Sequence, residues 1–280
     1  MAQETFTDIS KEELRQAQKI MLYIMKKIHE VCVKHNIKYW LDYGTLLGAI
    51  RHDGFIPWDD DLDICMMRDD YEKFSKVAQD EFGDEFFWQT TQTDPVAFRT
   101  HGRVRLTGTV WQEQYANPAE THHEFFVDIF PMEKFPDNSC AQKKYCRKIR
   151  FYQILHRYYF FPTTFSAKYK KVIAAFLSLF CPGKSLIQRI NQLIANLNNR
   201  YVSSKMISKV CLDTKRDLCD RSMFDELILH KFEDAEFYIP ARYDERLKML
   251  FNDYMQLPPE DKRYGHHGIL KYDFGKFKDL

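Results

Sequence analysis

Two aspartates, Asp61 and Asp63, stand two residues apart in the run W-D-D-D-L-D-I from Trp58 to Ile64, among the apolar residues Leu62, Ile64, Cys65, Met66 and Met67. Side chains at i and i+2 of a β-strand point to the same face. The spacing therefore predicts two carboxylates side by side on a strand that is otherwise apolar. Two such charges repel unless a cation sits between them. Oxygen-only ligands suit Mg²⁺ or Mn²⁺, and Mg²⁺ typically takes one or two carboxylates plus substrate phosphates. The pattern points to metal-assisted chemistry on a phosphate ester. Asp59, Asp61 and Asp63 also alternate as in an EF-hand loop. That loop needs Gly at its sixth position and Glu at its twelfth, where this chain has Ile64 and Asp70. A merely solvated acidic loop is the remaining alternative.

Just upstream lies a glycine-bearing turn, Gly44-Thr45-Leu46-Leu47-Gly48. Without a Cβ, Gly44 lets backbone approach a phosphate closely. The amides at the start of a helix opening near Thr45 favour an anion. Arg51, near the end of that short helix, has two readings. It holds a phosphate through its fork, or it makes a surface ion pair with Asp53 or Asp60. Asp128 lies in the apolar run Phe125–Phe130. An unpaired charge is costly to bury there, so a cation or an arginine must compensate it, or the strand is an edge. A metal-ligand or general-base role is the expectation for Asp128.

The whole stretch Tyr39–Phe74 resembles the LicD family, which includes bacterial phosphocholine transferases and the fukutin-like proteins. Phe126–Met132 is similar to the family's second acidic strand. The tail, from Phe232-Glu233 through Ile239-Pro240, Tyr243-Asp244, Leu257-Pro258-Pro259 and Arg263 to His266-His267, resembles its C-terminal signature. The resemblance covers roughly residues 10–135 and 230–270. It implies a nucleotidyltransferase-like α/β (α+β) fold, a mixed sheet with helices. Gly44 and Thr45 take the place of the phosphate-side turn, and Asp61, Asp63 and Asp128 that of the metal-binding and catalytic carboxylates. Arg51, Arg263 and His266 are expected on the donor. The implied chemistry moves a phospho-alcohol, typically phosphocholine from CDP-choline, to a cell-surface glycan such as teichoic acid or lipopolysaccharide, and CMP leaves. CDP-ethanolamine, CDP-glycerol and CDP-ribitol remain open.

Charge divides the chain unevenly. Asn138 to Leu212 holds 14 Lys or Arg and no Asp or Glu, leaving 27 basic against 40 acidic residues elsewhere, a net of −13. Such a split suggests a surface for an anionic partner. The expected organisation is a catalytic core over 1–137, a basic and mainly helical subdomain over 138–225, and a C-terminal segment over 226–280 that completes the site. The basic region is either a surface for anionic membrane or a lipid-linked acceptor, or a helical subdomain packed on the sheet with a basic outer face. Nucleic acid is not expected, because no nucleic-acid module is readable. The longest uncharged run in this region, Val172–Gly183, is too short to span a bilayer.

The N-terminus shows no basic region followed by an apolar core. Seven cysteines without C-x-x-C spacing argue against a zinc module and fit a reducing compartment. The expected location is cytoplasmic, at or near the inner membrane face. Two other functions fit the same residues: a nucleotidyltransferase that uses an NTP and releases pyrophosphate, and a non-catalytic adaptor on membrane or polyanionic glycan.

Locally, Ser10-x-x-Glu13 predicts a capping box and a helix of about 25 residues with a periodic apolar stripe from Leu14 to Cys32. Strands are expected over 38–41, 62–67, 86–90, 103–106, 109–112 and 124–130. Short helices are expected over 45–51 and from a cap at Asp69 or Asp70 to about Asp80. Longer ones are expected over 142–159, 166–180 and 184–200.

Overall fold

A computed structural model describes residues 9–94, 97, 99–113, 122–160, 172, 175–176, 183–210, 216–265 and 268–280. Helix α1 (Lys11–Lys34) opens on the expected capping box: Ser10 Oγ accepts from the Glu13 amide (3.2 Å), and the Glu13 carboxylate accepts from the Ser10 amide (2.8 Å). Its stripe, Ala17, Met21, Ile24, Met25, Ile28 and Cys32, is fully buried. Each such aliphatic side chain contributes about 1.5–3 kcal/mol by leaving water, so packing rather than propensity holds this helix.

The stripe covers one face of a mixed sheet. Strands β1 (Trp40–Leu41), β2 (Asp63–Met67), β6 (Phe126–Phe135), β4 (Gly102–Leu106) and β3 (Phe86–Gln89) lie side by side in that order. β2 and β6 are parallel and central, and the other pairs are antiparallel. Ile64, Met66, Val127 and Ile129 point toward α1 and α3 (Arg68–Phe82). Cys65, Phe130 and Met132 point to the other face, where Trp40, Ile207 and Phe224 cover them. Two buried faces explain why Ile64–Met67 reads as a continuous apolar run.

β6 runs on to Phe135, past the expected end at Phe130. Pro131 suggests a stop, because proline lacks a ladder donor. Here it falls in a gap between two antiparallel partners. β4 pairs with residues 126–129 and β7 (Met206–Ser208) with 133–135. β8 (Cys219–Asp220) then pairs with β7. Part of the region after Asn138 thus completes the sheet. Asp69 and Asp70 lie inside the first turn of α3 and Met67 occupies the cap position. Both charges still favour the positive end of the helix.

Helices α4 (Ser139–Phe160) and α5 (Gly183–Arg200) dock on β6 through Phe135, Ile149, Leu155, Leu186 and Leu197. Of the helix expected over 166–180, only Val172, Ala175 and Phe176 are described, and they are helical. The tail forms a hairpin, β9 (Leu227–Phe232) with β10 (Ala235–Pro240), then helix α6 (Tyr243–Phe251). Its last strand, β11 (Ile269–Asp273), pairs with β5 (Val110–Glu113). Among the described residues, no helix is long and apolar enough to cross a membrane.

Candidate active site

Helix α2 (Tyr43–His52) sets the geometry of the site. Its N-cap residue is Asp42, yet the Asp42 side chain does not cap. Its carboxylate instead accepts two hydrogen bonds from Arg246 of α6, at 2.9 and 2.6 Å, with both side chains fully buried. Cys65 Sγ donates to the same carboxylate at 3.2 Å. This fork ties α6 to the start of α2. The next residue, Tyr43, has φ +51°, a left-handed conformation that is uncommon for a bulky side chain.

α2 then brings Gly44 and Arg51 to an open cleft of about 660 Å³, within the usual range for ligand sites. The cleft also carries Trp58, Asp59, Asp61 and Asp63, with Tyr254 and Pro258 from the tail. At Gly44 a Cβ would lie 2.8 Å from Asp59 Oδ2, so glycine is what lets the acidic loop close onto the helix. At Gly48 a Cβ would meet the Gly54 carbonyl at 2.4 Å. Thr45 is buried, and its Oγ1 accepts the Asp63 amide at 2.8 Å. Thr45 therefore pins the start of β2, and the neighbouring Tyr43 and Gly44 face the cleft.

The strand begins at Asp63, so Asp61 lies in the loop just before it, and both line the cleft. Carboxylate oxygens of Asp59, Asp60 and Asp61 come within 4.8 Å of one another. An all-oxygen donor group this tight fits a hard cation. Asp128 is the register partner of Asp63 on the adjoining parallel strand, a spacing of about 4.8 Å. Its carboxylate is clasped by Arg103, at 2.7 and 3.1 Å, with His101 Nε2 at 3.0 Å. Of the compensations open to a buried Asp128, the arginine is the one present. Arg103 is itself held by Glu113 at 2.6 Å and lies 3.5 Å over the Phe126 ring. Burial pushes the Asp128 carboxyl up, but Arg103 and His101 pull it far below the usual carboxylate range. Burial also lowers His101, against the pull of Asp128. Asp128 is not among the described residues lining the cleft.

Cations gather at the same cleft. Arg51 donates to the Tyr254 carbonyl and to His52 Nε2, both at 3.0 Å. Burial, and then the charge of Arg263, lower the Arg51 pKa from its ordinary value. Arg263 lies 5.7 Å over the Trp58 ring and donates to the Pro258 carbonyl at 2.9 Å. Two guanidiniums that repel suit a shared anion, with Arg51 on the cleft and Arg263 beside Trp58 but outside the described lining. Lys262 and Arg216 line the same cleft. His266 lies outside the described residues. Glu233 sits elsewhere: it accepts from Arg15 at 2.9 and 2.5 Å and from the Phe55 amide at 3.1 Å, stapling the turn after α2.

Several participants escape a reading of the sequence. Tyr43 and Tyr254 lack any motif signal. Lys209 does carry one, as the lone charge in Met206–Val210, whereas Arg246 sits in the charged run Asp244–Lys248 and carries none.

Carboxylates at a strand start, a helix N-terminus and two arginines around one cleft define a site suited to a phosphorylated ligand. Comparison with known proteins narrows that class. The family model described as LicD/FKTN/FKRP, nucleotidyltransferase domain, matches residues 36–182, and the chain belongs to this family. It is 30% identical over 269 residues to the lipopolysaccharide cholinephosphotransferase LicD of Haemophilus influenzae, covering 92% of this chain and 97% of that protein. It is also 30% identical over 112 residues to the human ribitol 5-phosphate transferase FKRP, a match covering 38% of this chain and 19% of that protein. An uncharacterised Rickettsia prowazekii protein is 62% identical over 47 residues, covering 17% of this chain and 18% of that protein.

Proposed function

We propose that the chain is a metal-dependent phospho-alcohol transferase that takes its group, by default phosphocholine, from a CDP-alcohol. The observation that carries this reading is the meeting of Asp61, Asp63 and Arg51 on one cleft. The near full-length likeness to a cholinephosphotransferase and the local likeness to a ribitol 5-phosphate transferase support a phospho-alcohol as the moving group.

Asp61 and Asp63 would hold Mg²⁺ or Mn²⁺, with Asp59 beside them and Asp128 completing the carboxylate set next to Asp63. Such an ion, when bound, neutralises diphosphate charge and aligns the attacking and leaving oxygens. Arg51 and Arg263 grip the diphosphate, and Tyr43 and Gly44 present the positive end of α2 to it. The acceptor hydroxyl attacks the phosphorus that carries the alcohol, and its proton passes to a carboxylate of the set. The new P–O bond forms as the pyrophosphate P–O bond breaks, and CMP departs. Arg103 and His101 keep Asp128 ionised beside Asp63, and the proton goes to a carboxylate that lines the cleft.

The acceptor is a glycan precursor, probed best as a lipid-linked one at the inner membrane face. The exposed side of α4 supports that choice: Lys144, Arg147 and Lys148 lie beside exposed Phe151 and Ile154. Basic and apolar residues on one helical face suit an anionic interface.

The test is product identification by phosphorus NMR with CDP-choline and Mg²⁺. Release of CMP, lost in Asp63→Asn, supports the reading. Pyrophosphate released from CTP instead would move it to nucleotidyl transfer. Neither product from a folded protein would leave the adaptor.

A further inference from the structure

Lys209 follows β7 directly and has no exposed surface. Its Nζ has no hydrogen-bond partner among the described residues. It lies between two rings, 3.5 Å from the centroid of Tyr43 and 3.6 Å from that of Phe130. Cation–π contact offsets about 2 kcal/mol or somewhat more when desolvated. Burying a charge with no hydrogen bond costs considerably more. A buried polar group left without a hydrogen-bond partner calls for an explanation, and a bound ion is one.

Tyr43 supplies the direction. It is the first residue of α2, it is held at φ +51°, and it lines the cleft. Its hydroxyl is buried and also lacks a partner among the described residues. Arg246 lies 5.3 Å from the same ring, but its fork is engaged by Asp42. Two neighbouring donors thus stand unsatisfied behind the cleft wall, at the positive end of a helix.

We propose that Lys209 and Tyr43 form an anion subsite at the inner wall of the cleft, which takes a phosphate group of the donor's diphosphate. This rests on the reading above for the donor, and not for the existence of the subsite. Lys209 brings an amine donor to a part of the diphosphate that Arg51, on the cleft, does not cover. The Tyr43 hydroxyl adds a directional hydrogen bond. Asp61 and Asp63 face the same cleft, so the phosphate would lie between a carboxylate side and a lysine side.

The experiment measures binding of inorganic pyrophosphate, CDP and cytidine by calorimetry, with Mg²⁺, to wild type, Lys209→Met and Tyr43→Phe. Melting temperature is read in parallel. Lys209→Met is expected to weaken pyrophosphate and CDP at least 10-fold, leave cytidine unchanged, and keep or raise the melting temperature. Tyr43→Phe, which retains the ring over Lys209, is expected to weaken pyrophosphate about threefold or more. A folded Lys209→Met that binds pyrophosphate as wild type does, with a lowered melting temperature, overturns the subsite and makes the lysine structural. If Lys209→Met fails to fold, unchanged pyrophosphate affinity in Tyr43→Phe overturns it. Wild type that binds pyrophosphate but not CDP sinks the donor reading and leaves the subsite standing. Wild type that binds neither overturns both.

Discussion

Asp63 and Asp128 are register partners on the two central parallel strands, yet Asp63 faces the open cleft while Asp128 is buried in the grip of Arg103. One strand pair thereby offers two carboxylates in different environments. On our account Asp63 meets the ligand directly, and Asp128 is kept ionised beside it.

Asp61→Asn and Asp63→Asn should therefore each lower transferase activity by about 100-fold or more, the scale of losing a charge-stabilising group in an active site. Both residues line the cleft rather than the core, so the melting temperature should stay level or rise. Activity assays with Mg²⁺ titration, alongside thermal melts, check this.

Arg103→Met should act on stability. It removes the arginine fork from buried Asp128 and one partner from buried Glu113, which keeps Arg99, and breaking a buried pair from one side costs about 3–5 kcal/mol. Urea unfolding should show the loss, and adding Asp128→Asn should recover part of it. The lowered Asp128 pKa gives the sign with pH. The stabilisation is present above the unfolded carboxylate value and declines only in strong acid.

The Asp42–Arg246 fork makes a parallel case that bears on the site. Both residues have no exposure, so Arg246→Met should also destabilise by about 3–5 kcal/mol. Asp42→Asn with Arg246→Met should be milder than Arg246→Met alone. Because Asp42 precedes Tyr43, the surviving folded protein should also bind pyrophosphate more weakly.

Asp217 gives a pH dependence of the opposite sign. It is buried, with neither carboxylate oxygen hydrogen-bonded among the described residues. Burial pushes its pKa up to about 7; Arg246 opposes the rise and Asp42 adds to it. The folded state then holds a proton that the unfolded state releases near 3.8. Stability is full below that value and declines as pH rises through about 7. Asp217→Asn should have little effect at pH 4 and stabilise by up to about 4 kcal/mol at pH 8, at 1.36 kcal/mol per pKa unit. Denaturation at the two pH values measures it.

The parts of this fold that were legible in the sequence are those with local signals. The Ser10–Glu13 box and the periodic stripe of α1 announce themselves because capping and amphipathicity act within a few turns. Alternation placed Asp63 on a strand, and the apolar run around Asp128 announced a second one. What stayed hidden is tertiary. The Thr45 hydroxyl holds the Asp63 amide, and Asp42 pairs with Arg246, some 200 residues away. Pro131 looks like a strand end until the gap between β4 and β7 is seen. The burial of Lys209 between Tyr43 and Phe130 joins three distant segments, and no spacing rule connects them.

The most direct test of the central claim is a thermal-shift panel of CDP-alcohols, with and without Mg²⁺, on wild type and Asp63→Ala. A ligand that binds only the native state raises its melting temperature by mass action. The account predicts an Mg²⁺-dependent rise with one CDP-alcohol, by default CDP-choline, that disappears in Asp63→Ala. A rise of equal size in the variant, or no rise with any CDP-alcohol in well-folded wild type, would contradict it.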